Sequence, residues 1–585
     1  MAVIEACERA GAEEARGGAP FAVILGLAAA GLSLFGPSEK AAAQGYTGGP
    51  NPATATPQQG IQNPFGPPAT TAPQQAPQSP FGPPATTAPQ PGLQSTFGPP
   101  GAPAQPVAQP PPLVITPSLD VQTTFTDNAL STPSQKQSDV YFTVSPALFA
   151  TEDSARLNGV FNYSPQAIEH VAVSSQDQII QNLLMSGTAT VVPERFFFDA
   201  HASMSDISRT GARGFGNPTE APSSTSTHST AYSGSPYAQF HFGPVGDAEV
   251  RYIFSQTLFS GNTAAIGSTV PGQAVGGLSS DTQNEGKATF VSGEILSRLQ
   301  LNTLLDYQKD DTVSVDNSTH AIGTVGGSYA LYPTFDLIAN GGYERLNYPN
   351  QPATGFSGNY DGATYQGGFH YHPRDDRSIT LQYGKTEGQN TLSGNASWAA
   401  TPLLTLTASY SAQTQTEQQS IQQNLGLATQ TTPGQTINQQ TGLPLSLTNP
   451  NLSLQNEVTR TKTLDAGVMY QYGQRNRYIF QFTRTELGVL AGGASSQTTD
   501  GGILTWQRDL SPDLTGNLSG GYSATVSQTT GTLPSTSEAV TATVSFNYAL
   551  TDTLFGTASY SLVRQSGVNG VVLVDLATVG LHKNF

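Results

Sequence analysis

From Leu113 to its last residue the chain alternates, position by position, between apolar and small polar side chains. Val540, Ala542, Val544, Phe546, Tyr548 and Leu550 fall on one side, and Thr541, Thr543, Ser545 and Asn547 on the other. Leu404, Leu406, Ala408 and Tyr410 split in the same way from Thr405, Thr407, Ser409 and Ser411. So do Ile379, Leu381 and Tyr383 from Ser378, Thr380 and Gln382. A period of two sends successive side chains to opposite faces of a strand, so these runs predict β-strands with one apolar face and one neutral polar face. Turn-forming residues close each run.

The connections sort into two sizes. Short ones fall at residues 151–154, 193–194, 243–246, 296–297, 332–334, 373–376, 400–402, 473–475, 511–513 and 551–552. Long polar ones lie between them, the longest at 206–230, 261–281 and 417–456. Tight turns on one rim and long loops on the other are what a transmembrane barrel of the bacterial outer membrane requires. With both barrel ends on the short-turn rim, the strand count comes to about 22, within a range of about 18 to 24. A soluble sandwich also alternates, but it would not sort its connections this way or leave both faces so free of charge. The predicted fold class is therefore all-β, a transmembrane antiparallel β-barrel preceded by a disordered Pro-rich segment.

Composition strengthens that reading. Only 11% of residues are charged, where a globular surface would carry about a quarter. Ser, Thr, Gln, Asn and Gly fill the deficit, with 22 Tyr and 26 Phe. No run after residue 35 reaches the roughly 18 apolar residues of a spanning helix, so membrane residence must be by strands. The mean hydropathy of −0.26 fits alternating strands, whose faces cancel. Net charge is −17, and loss of the five acids and three bases of residues 1–43 leaves −15. An acidic chain without a basic patch is a poor partner for nucleic acid.

Residues 21–35, FAVILGLAAAGLSLF, form an apolar core of signal-peptide length, followed by Ala41-Ala42-Ala43 as a cleavage pattern. Residues 1–43 are expected to be a signal peptide, the alternative being a single anchor helix. Residues 1–20 hold four Glu against two Arg, the wrong sign for a secretory leader, which places the true start downstream, near residue 20. The only cysteine, Cys7, would leave with the leader, so disulfides and Cys-ligated metals are not expected. Residues 44–112 read as a disordered periplasmic linker rich in Pro, Gln and Ala. PFGPPATTAPQ occurs at 64–74 and again at 80–90, and Phe65, Phe81 and Phe97 each open an FGPP. About 60 such residues at about 3.1 Å each reach on the order of 200 Å. A tether through peptidoglycan and a plain disordered leader fit equally well.

Phe585 ends the chain on a strand whose Val579 and Leu581 share its face. A terminal aromatic on such a strand resembles the signal that the barrel-assembly machinery recognises. Lys583 departs from that pattern, and its amine could snorkel to the interface.

Residues 116–148, TPSLDVQTTFTDNALSTPSQKQSDVYFTVSPAL, resemble the opening hairpin of outer-membrane β-barrel porins often encoded near exopolysaccharide loci, the beta-barrel porin 2 group. Thr126-Asp127-Asn128, Asp139 and Ser145-Pro146 carry the likeness, which extends more weakly to 195–205 (RFFFDAHASMS). The resemblance implies a large barrel with porin-like or polysaccharide-export duty and supplies no catalytic residue and no cofactor.

Chemistry is otherwise sparse. His370 and His372 share a strand face near Asp375 and Asp376, a candidate metal site whose plainer reading is a polar cluster at a periplasmic turn. His201 and Ser203 also share a face, as a base and nucleophile would, but without the residues that surround such a pair in outer-membrane phospholipases. No H-E-x-x-H, G-x-S-x-G or phosphate-loop motif occurs. No enzyme activity is expected. The lumen should be lined by Ser, Thr, Gln, Asn and Gly with scattered charges such as Arg298 and Asp306, giving weak selectivity and, if the acids lie inside, a mild cation preference. A barrel this wide is usually narrowed. The 417–456 loop is the candidate to fold inward, an exposed surface loop being the alternative. Two functions remain open: a channel for small polar solutes or for polysaccharide export, and a structural or surface-interaction barrel. Expected partners are outer-membrane lipid and lipopolysaccharide, the barrel-assembly machinery, and peptidoglycan or exopolysaccharide machinery.

Overall fold

The computed structural model describes residues 113–585 apart from 209–225, 262–265, 268–273, 276–277, 313–316, 349–358, 433–434, 440–444, 446, 448–457, 490–494, 530–533 and 568–569. The expected leader (1–43) and linker (44–112), with Phe65, Phe81 and Phe97, lie outside the described residues, as do parts of the three long loops.

Strands follow one another antiparallel around a single wall, from Leu113–Thr126 to Gly570–Asn584. The last pairs back onto the first, with Leu581 opposite Val121 and Val579 opposite Thr123. Closure leaves no sheet edge, the condition for a strand wall in lipid. Twenty-two strand positions result from 24 pieces, because two positions are split, at Leu157–Tyr163 with Gln166–His170 and at Gln178–Ile180 with Leu183–Val192. The first split has a sequence cause. Strand Asp139–Asp153 pairs across 148–153 and 141–144 but skips 145–147, where Pro146 faces a neighbour interrupted at Ser164-Pro165. Neither proline has an N–H to give a ladder.

Each of the ten predicted short turns closes a hairpin on the rim that also holds both barrel ends. The opposite rim is less uniform than the sequence suggests. It carries the long loops but also a two-residue turn, Glu387-Gly388, between Arg377–Thr386 and Gln389–Thr401. Gly388 has φ +76 there, a conformation that favours glycine.

Alternation sorts the faces as expected. Val540, Phe546, Tyr548 and Leu550 are exposed on the outside while Thr541 is buried inside. Outward aromatics form two bands, with Phe242, Tyr332, Tyr472 and Tyr548 near the short-turn rim and Tyr307, Tyr343, Tyr365 and Tyr383 toward the loop rim. Tyr343 lies eight residues beyond Phe335 on its strand. At about 3.3 Å per residue and a tilt of about 40° the bands stand on the order of 20 Å apart, close to the apolar height of an outer-membrane barrel. Tyr252, Tyr343 and Tyr560 point their hydroxyls at Asn284, Asp361 and Asp575, each at 2.6 Å, so the rings end in polar contacts as an interfacial belt should.

The residues that carry the family-like opening fasten the seam. Asn128 is 1% exposed, accepts from the Thr132 N–H (3.1 Å), and donates to the carbonyls of Thr132 (2.8 Å) and Leu573 (3.2 Å). Asp127 accepts the Asp575 N–H at 2.7 Å and pairs with Lys136, while Thr126 accepts the Asn128 N–H. Leu573 and Asp575 belong to the final strand, so this turn clasps the two ends of the wall. Asp139 accepts from the N–H groups of Val140, Ala172 and Val173 and pairs with His170 at 3.0 Å. Asn128→Ala removes the partner of the partly buried Thr132 N–H and of the Thr132 and Leu573 carbonyls and is expected to cost about 1–3 kcal/mol. Heat-modified gel mobility would read it as unfolding at a lower temperature than wild type.

Candidate functional site: the lumen and its inward-folded loop

The loop after Leu404–Gln415 does not stay outside. Thr416 begins a helix, α1 (Glu417–Leu427), through a capping box in which its hydroxyl accepts from Gln419 N and Gln419 Oε1 accepts from Thr416 N. Ile421 and Leu425, one turn apart, form a single apolar stripe, 1% and 0% exposed. That stripe packs with Ala428 on Leu184 and Ala231, lumen-facing residues of strands on the far side of the barrel from the one that launches the helix. Burying an Ile and a Leu is worth about 2–3 kcal/mol each. Polar contacts fix the position. Gln418 Nε2 donates to Ser279 O (3.1 Å), Gln419 Nε2 to Asp310 Oδ2 (2.8 Å), and Gln422 Nε2 to Gln256 O (2.8 Å) and Thr257 Oγ1 (2.9 Å). The helix thus spans the lumen near the loop rim and narrows it.

A second element enters beside it. The Glu387-Gly388 turn folds inward, its Glu387 N–H donating to Glu344 Oε2 at 2.7 Å, and Arg460 reaches Glu387 (3.4 Å) and Thr391 (3.0 Å). Glu344 also pairs with His320 at 2.9 Å. Beyond the shortened hairpin the buried Tyr348 donates its hydroxyl to Thr414 O at 2.9 Å, linking the strands on either side.

Charge in the lumen is gathered rather than scattered. Arg251 pairs with Asp199 (2.6 Å) and Glu249 (2.8 Å) and lies 3.8 Å from the Tyr237 ring. Lys287 pairs with Glu285 (2.8 Å) and Asp306 (3.0 Å). With His320 and Glu344 these groups form one arc whose acids outnumber its bases. The opposite arc is largely uncharged, with Thr380, Gln382, Ser393, Thr499, Ser523 and Thr541 buried along it, and carries Asp465 and the Glu387–Arg460 pair. Arg298, expected on a strand with Asp306, instead lies in the turn before Leu299–Thr312.

Glu417 opens α1 half-buried, and desolvation pushes its carboxyl up to about 7. The helix N-terminus favours the charged form, but desolvation outweighs it. A docked value above the ordinary 4.5 means that docking is favoured below about pH 4.5, and this contribution is lost as pH rises through about 7. Docking of α1 is therefore expected to loosen between pH 5 and pH 8, and Glu417→Gln to flatten that change, with ion conductance in planar bilayers as the measurement.

His201 and Ser203 both face the lumen, but His201 Nδ1 is buried without a partner and sits beside Asp199 and Arg251. His370 and His372 do come together, with Asp336 rather than with Asp375 or Asp376; Asp376 pairs with Arg374 instead. Leu581, Val579 and Phe585 are exposed on the outer face, the Phe585 N–H donates to Pro117 O (2.9 Å), and Lys583 Nζ reaches Thr553 Oγ1 in the adjoining turn. Sequence reasoning overlooked the Thr416 capping box, the paired Ile421 and Leu425, and the Glu344–Glu387–Arg460 group. The first two were signalled by T-E-Q-Q and by the four-residue spacing; the third is assembled only by the fold.

No protein-family model matches the chain, and no curated protein is similar to it in sequence. Among solved structures it is similar to the FrpB iron transporter from Neisseria meningitidis, at 12% identity and TM-score 0.43, covering 80% of this chain and 82% of that one. It is likewise similar to the siderophore receptor PirA from Acinetobacter baumannii, at 11% identity and TM-score 0.43, covering 80% of each chain. The ferric-catecholate import receptor Fiu from E. coli K12 shows 9% identity and TM-score 0.41, over 80% of this chain and 81% of that one.

Proposed function

We propose that the chain is an outer-membrane channel for small polar solutes, with α1 as its constriction. The observation that carries this reading is the anchoring of α1 across a wide, polar-lined lumen by Gln418, Gln419 and Gln422, with Ile421 and Leu425 packed on the far wall. A purely structural barrel has no need of such a placed element. One arc rich in Ser, Thr and Gln is compatible with neutral hydroxylated solutes, and the acidic arc opposite favours cations mildly over anions.

Export of a polysaccharide, implied by the resemblance at Thr126-Asp127-Asn128, Asp139 and Pro146, would use the same lining with α1 displaced. The outward aromatic bands support residence in outer-membrane lipid. The exposed terminal Phe585, with Leu581 and Val579, supports delivery by the barrel-assembly machinery. Liposomes carrying the purified protein should swell in small sugars and not in long oligosaccharides. Swelling in long chains would favour export, and none in any sugar would favour an anchoring or surface-interaction barrel.

A further inference from the structure

We propose that Asp336, His370 and His372 form a binding site for a borderline divalent transition-metal ion on the lumen face near the short-turn rim. Register brings the three together. Asp336 stands directly opposite His370 on the neighbouring strand, and His372 follows two residues on, so all three side chains project from one face. The imidazoles stack with centroids 4.5 Å apart and an interplanar angle of 22°. A single carboxylate oxygen, Asp336 Oδ2, lies 3.3 Å from His370 Nδ1 and 3.0 Å from His372 Nε2. One ligand atom from each of the three residues falls within 4.8 Å of the others.

The donor types and their spacing suit a metal ion. With metal–nitrogen and metal–oxygen bonds of about 2.0–2.2 Å, neighbouring donors in a tetrahedral or octahedral shell stand roughly 3.0–3.4 Å apart. The 3.3 and 3.0 Å separations from Asp336 Oδ2 lie in that range. Without a metal, Asp336 Oδ2 can accept from both ring N–H groups; a dication between the three atoms would instead take one lone pair from each of them. The rim residue nearest in sequence that could repel it, Arg374, is held by Asp376 at 3.0 Å. Two imidazoles and one carboxylate suit Zn²⁺, Ni²⁺, Cu²⁺ or Fe²⁺ rather than Ca²⁺ or Mg²⁺, and three protein ligands leave positions open to lumen water. The site is therefore an exchangeable one on the lumen face. It does not depend on the channel reading and holds equally for a barrel that passes nothing.

The test uses the full chain without a histidine tag, stripped with chelator, in detergent micelles. Titration with Zn²⁺ against a competing indicator should show one site per chain, absent for Mg²⁺, and His372→Gln and Asp336→Asn should each weaken it tenfold or more. His228→Gln, distant from the cluster, should leave it unchanged. Electron paramagnetic resonance of the Cu²⁺ form should show two imidazole nitrogens in wild type and one in His370→Gln. This reading on the unaltered chain stands even if a variant fails to fold. Zinc binding that is equal in wild type, His372→Gln and Asp336→Asn, or a Cu²⁺ spectrum without two nitrogens, would overturn the proposal.

Discussion

Excising residues 417–456 and joining Thr416 to Glu457 through a short Gly-Ser turn is expected to raise single-channel conductance roughly threefold or more, because an empty 22-strand barrel is a wide aqueous hole. The wall itself should be unaffected, since strands Leu404–Gln415 and Thr459–Tyr472 pair with each other from Gln415 opposite Thr459 onward. A gentler change should do much of the same. Leu425→Asp places a charge in a site that is 0% exposed against Leu184 and Ala231, which α1 can escape only by leaving the wall. Conductance equal to wild type in both variants would mean that α1 does not limit the path.

Removing Phe585 alone should cut the amount of barrel assembled in cells about tenfold or more while changing the stability of refolded protein little. The physical reason for the split is that the side chain is 72% exposed and touches the fold mainly through its N–H to Pro117 O. Losing one rim hydrogen bond costs about 1 kcal/mol, too little to unfold a closed barrel. A large fall in assembly with an unchanged melting profile in detergent would assign Phe585 to delivery. A matching fall in both would assign it to the wall.

Much of this architecture was legible in advance because its causes are local. Alternation fixes which side chains meet lipid, and turn chemistry at Gly, Pro, Asp and Asn fixes where strands reverse, so ten short turns led to the observed number of strand positions. The clasp at Asp127 and Asn128 was visible only as a motif, since its partners Leu573 and Asp575 lie more than 440 residues away. The inward path of the 417–456 loop was only one of two open readings. A capping box signals a helix but says nothing about which wall Ile421 and Leu425 will find. Asp336 was missed beside His370 because cross-strand register, not sequence proximity, chooses neighbours, and the same holds for Glu387 with Glu344 and Arg460. The neutral lining expected from composition describes most of one arc; the charged arc arises because Asp199, Glu249, Arg251, Glu285, Lys287 and Asp306 come from strands grouped in one part of the wall.

Single-cysteine variants at each position of Ser535–Thr551, in a chain whose Cys7 is replaced, would test the closed lipid-facing wall most directly. Spin labels at 540, 542, 544 and 546 should sense a lipid-soluble relaxing agent, and those at 541, 543 and 545 a water-soluble one, in strict alternation along the strand. A strand on which every position met water, or on which the two reagents showed no period of two, would contradict a membrane-spanning barrel.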